Sequence, residues 1–258
     1  MTTVDSGNVV RDGVAVRFGI PFALLASGAV GWWWSVHMSG EMRSSAMDMR
    51  DPMSAPMGAA AFLVAWLAMM AAMMLPAIVP VVKLYARASA RGRLAPLPFF
   101  VAGYLVVWTL LGVPAYFAWR ALDTPRAQGA HWVARLAGAV LVTCGVWQFT
   151  PLKELCLRQC RSPMSVFLRH GRRLERRRGA AGLGATHGLY CVGCCWAIFA
   201  LLVALGTMNI GWMLILTALI VAEKTAPRGH RTAVVTGAIF VILGIVFLAA
   251  PGSYAAIT

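Results

Sequence analysis

The stretch GAAGLGATHGLYCVGCCWAIFALLVALGTMNIGWMLILTALIVA, residues 179–222, decides the fold. It runs 44 residues without a formal charge. As one helix it would reach about 66 Å, twice the roughly 30 Å hydrocarbon thickness of a bilayer. It must fold back, and Gly206-Thr207-Met208-Asn209 is the natural turn. Two helices therefore leave this run, the second (about 210–223) short.

Working outward, the same reading repeats. The chain is 60% hydrophobic and only 12% charged, with a mean hydropathy of +0.72. A soluble domain of this length needs more polar surface, so lipid is the expected solvent. Residues 18–36, 58–82, 94–119 and 233–250 lack charges and are long enough to span; residues 136–152 also lack them, with a helix expected from His131. The expectation is an all-α, polytopic transmembrane bundle of about seven spans. Residues 1–17 form a cytoplasmic tail, 18–250 one bundle and 251–258 an outer C-terminal tail. A Met-rich outer loop covers 37–57 and a basic inner loop 151–183. The first apolar segment carries Trp32, Trp33 and Trp34 and no convincing cleavage site, so it reads as a retained span.

Charge sets the orientation. The formal charge is +14, which in a soluble protein would suggest nucleic acid. With an inward N-terminus, only Arg43, Arg50, Arg120, Arg126 and Arg135 fall outside, the split that the positive-inside bias predicts for a polytopic membrane protein. Nucleic-acid binding is not expected. The cluster RHGRRLERRR, 169–178, reads as a solvated loop touching anionic lipid headgroups.

This topology gathers all six cysteines near the reducing inner face, where thiols or metal thiolates are favoured over disulfides. His187, Cys191, Cys194 and Cys195 follow the spacing of one helix face. Cys156 and Cys160, in TPLKELCLRQC (150–160), are four apart and share a face if that segment is helical. Gly188 and Gly193 allow close helix approach. A cysteine can be simply a small buried apolar residue, and Cys144 alone is best read so. Three thiols in five residues, with a histidine and a second pair, point instead to a metal.

Methionines extend the pattern. AWLAMMAAMMLPAIVP (65–80) places Met69, Met70, Met73 and Met74 at helical spacing, and Pro76 and Pro80 suggest a kink lining a cavity. VHMSGEMRSSAMDMRDPMSAPM (36–57) adds His37, Met38, Met42, Met47, Met49, Met53 and Met57. Thioethers outside and in the membrane, with thiolates inside, suit a soft monovalent ion, Cu(I). Zinc, closed by two cysteine pairs, is the alternative. His131 and His230 read as interfacial residues, Gln148 as a partner for backbone groups near Pro151. Glu223-Lys224 reads as an interfacial pair ending the sixth span, with Lys224 snorkelling, and a functional carboxylate is the alternative there.

MMAAMMLP (69–76), GVWQFTPLKELCLRQCRSP (145–163), GLYCVGCCWA (188–197), GTMN (206–209) and EK (223–224) together resemble a bacterial family of predicted metal-binding integral membrane proteins of unknown function. The resemblance spans about residues 60–225 and implies a polytopic inner-membrane protein that binds metal.

The function expected is copper handling, by transport or by delivery to a cuproprotein or metallochaperone client, through Cys156, Cys160, His187, Cys191, Cys194, Cys195, Met69, Met70, Met73 and Met74. The alternatives are a membrane thiol–disulfide oxidoreductase using Cys191 and Cys194, and a scaffold with packed cysteines or a structural zinc site. An enzyme is the less favoured class.

Overall fold

A computed structural model describes residues 58–90, 97–128, 131–161, 175–205, 210–226 and 229–252, with a few positions between 19 and 37. Among them the chain is helical. The elements are α1 (Ala59–Ala90), α2 (Leu97–Ala127), α3 (His131–Gln148), α4 (Pro151–Arg161), α5 (Arg177–Leu205), α6 (Ile210–Thr225) and α7 (Gly229–Ala249). The Met-rich stretch from Met38 to Met57 and the expected turn at 206–209 lie outside the described residues, although α5 and α6 end and begin on either side of that turn.

Among the described residues fewer crossings stand out than the seven expected. The described residues hold four helices long and apolar enough to span a membrane, α1, α2, α5 and α7, or five if α3 and α4 count as one broken span. About seven spans are not supported. α6 has 16 residues, about 24 Å of helix, and falls short of the hydrocarbon thickness. Most of the first apolar segment lies outside the described residues, apart from pieces such as helical residues 28–33. There Gly31 abuts Ala68 and Ala72 of α1.

The break between α3 and α4 has a local cause. Proline fits the first position of a helix but cannot donate within its interior, so Pro151 starts α4 and α3 must stop before it. Thr150 serves both ends. Its hydroxyl donates to the Trp147 carbonyl at 2.7 Å and accepts from the Lys153 N–H at 3.3 Å. The two axes meet at 68°. α4 is amphipathic, with Lys153, Leu157 and Cys160 on its buried face. The bend lays that face across α5 and α6.

α1 stays helical through Pro76 and Pro80. α2 and α5 pack backbone to backbone: a side chain on Gly184 would collide with the Phe100 carbonyl of α2. Only glycine permits that approach, and it sets Tyr104 of α2 against the thiols of α5. Meanwhile the outward faces are apolar, with Val106, Leu110 and Phe117 on α2 and Val235, Ile239, Ile242 and Ile245 on α7 all exposed.

Candidate metal centre

Five helices meet at one sulfur-rich point. Cys160 of α4 and Cys191 and Cys194 of α5 bring their Sγ atoms within 4.8 Å of one another. The Cys160 and Cys194 sulfurs are 3.8 Å apart across the helix boundary. All three residues are buried. α1 contributes Met74, whose Sδ lies 3.9 Å from the Cys191 Sγ. Tyr104 of α2 brings its hydroxyl to 3.2 Å from the same sulfur.

The other sequence-selected residues divide. Cys156 points its sulfur at the bare Cα of Gly193, where a Cβ would sit 2.7 Å from it; it lies beside the trio rather than in it. Cys195 turns back on its own helix and donates to the Cys191 carbonyl at 2.8 Å, and Cys194 shares that acceptor at 3.1 Å. Cys144 donates to the Ala197 carbonyl at 2.6 Å, in keeping with a packing role. His187 is buried one turn before Cys191, near the rings of Phe100 and Tyr104, and its Nε2 has no hydrogen-bond partner among the described residues. It stands outside the group of three thiols. Met69, Met70 and Met73 are buried in the bundle; Met74 is the one of the four with a close sulfur contact to the thiols among the described residues.

Glu223 and Lys224 depart most from the sequence reading. Neither faces an interface: they are 2% and 8% exposed. Lys153 of α4 donates to the Glu223 Oε2 at 2.7 Å, and the Gln148 amide donates to Oε1 at 3.1 Å. Gln148 thus serves a carboxylate rather than backbone groups. One residue further round α6, Lys224 aims its ammonium into the sulfur cluster, 2.9 Å from the Cys191 Sγ and 3.8 Å from the Met74 Sδ. The pair is buried because the α3–α4 bend carries Lys153 beneath the end of α6. Arg161 closes the same region by donating to the Ala226 carbonyl at 2.5 Å.

Chemically, thiolates and a thioether in a buried pocket are soft donors, suited to Cu(I) and within reach of zinc. Buried thiolates are costly without a cation, and a bound metal removes that cost. The fold and the donor set fit the class of helical metal-binding proteins, with the thiols gathered where α4 crosses α5. The family model described as "PpoB2: Copper chaperone" matches residues 63–247, a stretch that contains every residue of this centre, and the chain belongs to that copper chaperone family. No curated protein and no solved structure matches the chain.

Proposed function

We propose that this protein holds Cu(I) at Cys160, Cys191 and Cys194, with the Met74 thioether beside them, and hands it to a client cuproprotein or metallochaperone from within the bacterial inner membrane. The observation that carries the reading is the convergence of three thiols from two helices to within 4.8 Å, in a chain of the copper chaperone family. Membrane residence is supported by the four long apolar helices and by their exposed apolar faces. The distribution of arginine and lysine favours an inner position for the thiols, where glutathione-type reductants keep them free.

In this reading Met69, Met70, Met73 and Met74 form a thioether column along α1 that leads to the thiols, and the methionines between Met38 and Met57 collect the ion outside. Cys156, Cys195 and His187 stand close enough to the trio in sequence and fold to act as alternate ligands during release. Direction follows from softness: thiolates hold Cu(I) more tightly than thioethers, so the ion settles at the cysteines.

The test is elemental analysis of protein purified gently under reducing conditions. One copper per chain, lost in a Cys191→Ser, Cys194→Ser double variant, is expected. Zinc at full occupancy would favour a structural clamp between α4 and α5, and no metal at all would defeat the reading. The redox alternative draws on the same proximity of Cys191 and Cys194. Thiol trapping in cells decides it: permanently reduced thiols are expected here, and a Cys191–Cys194 disulfide that turns over would contradict them.

A further inference from the structure

Lys224 is a buried lysine whose hydrogen-bond partners, among the described residues, are sulfur atoms: Cys191 Sγ at 2.9 Å and Met74 Sδ at 3.8 Å. The adjacent carboxylate does not serve it. Glu223 is engaged through Oε2 by Lys153 and through Oε1 by Gln148, and that pair is neutral by itself. Among the described residues no carboxylate pairs with Lys224. A thioether carries no charge to offer. An ammonium this deep needs an anion, and Cys191 is the group in contact that can supply one.

We propose that Lys224 is the counter-cation of the metal centre, holding Cys191 as the anionic anchor and balancing the charge of a Cu(I) ion bound between two thiolates. The proposal rests on the copper reading above. Its physics is a charge balance in a pocket of low dielectric, where an uncompensated unit charge is expensive. Before loading, the Cys191–Lys224 pair is neutral, whichever of the two holds the shared proton. Cu(I) brings one positive charge, and the second thiol, on Cys160 of α4, gives its proton to water as it coordinates. Copper stays monovalent and no electron moves. The loaded pair of thiolates carries one net negative charge, which Lys224 again cancels. A third thiolate on Cu(I) would leave the pocket with an uncompensated negative charge. The site is therefore a two-thiolate site, with the third cysteine free to accept the ion next, as ligand exchange toward a client requires. The lysine is a positioning residue: it touches a ligand sulfur and is not itself a ligand.

Competition of the detergent-purified full chain against a chromogenic Cu(I) chelator tests this, with copper K-edge absorption on the same samples. Lys224→Met keeps the length and drops the charge. Its affinity is expected to fall about 10- to 100-fold, the range for partners that support a metal ligand, with helical content unchanged. Lys224→Arg, which restores the charge, is expected to recover most of that loss. Wild type should show two sulfur ligands. If Lys224→Met does not fold, Lys224→Gln takes its place. Copper bound as tightly by the uncharged variant as by wild type, or more tightly, overturns the counter-cation role and leaves the copper reading standing. Absence of copper from wild type overturns both.

Discussion

Cys160 and Cys194 are 34 residues apart in the chain, yet their sulfurs lie 3.8 Å from one another. The first sits on the last turn of α4 and the second midway along α5, so their meeting depends on the direction α4 takes after the bend at Pro151. Their separation in sequence makes Cys160 the sensitive probe of a two-helix site. Cys160→Ser is expected to lower copper retention sharply, since the ion then has only the two neighbouring thiols of α5, while Cys144→Ser, whose thiol bonds a carbonyl elsewhere in the bundle, leaves it intact. Copper content after desalting measures both. Equal retention by the two variants would place the ion elsewhere.

Gly193 marks where α4 rests on α5. A methyl group there would stand 2.7 Å from the Cys156 sulfur, so Gly193→Ala must push the helices apart. We expect a loss of about 1–3 kcal/mol in stability, the usual cost of overpacking, and weaker copper binding as Cys160 withdraws. Cys156→Ala should relieve part of both effects in the double variant, and the coupling is read from a double-mutant cycle of thermal unfolding in detergent. Additive losses would show that the two residues do not meet.

Lys153 and Glu223 form a buried ion pair at 2.7 Å. Removing one partner strands the other, and Glu223→Leu is expected to cost about 3–5 kcal/mol. Lys153→Met combined with Glu223→Leu removes both charges and should recover most of that loss. Thermal midpoints of the two single variants and the double variant provide the check. A double variant as unstable as the sum of its parts would contradict the pairing.

Thr150 caps α4 through its hydroxyl. Thr150→Ala should lower stability by about 1 kcal/mol, a smaller effect than at the ion pair, and copper affinity should follow as Cys160 loses its fixed position. An unchanged midpoint and affinity would show that Pro151 alone sets the bend.

Part of this sulfur cluster was legible in the residues. Helical spacing put Cys191 and Cys194 on one face, and the four-residue interval of Cys156 and Cys160 marked a second helix. What spacing could not give was which of that pair turns inward. α4 resolves it, because its buried stripe runs through Lys153, Leu157 and Cys160, leaving Cys156 to meet a glycine. Lys224 was misplaced for a related reason. A lysine at the end of an apolar segment ordinarily reaches for water, and nothing local in the sequence says that another helix covers that end. The α3–α4 bend does so, burying Glu223 with Lys153 and turning Lys224 onto the thiols. Tyr104, 87 residues from Cys191, gave no pattern to read. The expected count of about seven spans is not supported among the described residues: α6, expected to be short, ends after 16 residues, and α3 and α4 are separated by a sharp bend.

Copper K-edge absorption of the loaded full chain tests the central claim most directly. A first shell made of sulfur alone, which changes when Cys160 becomes serine, is the outcome that α4 and α5 sharing one Cu(I) ion requires. A shell of nitrogen or oxygen, or a sulfur shell indifferent to Cys160, would contradict it.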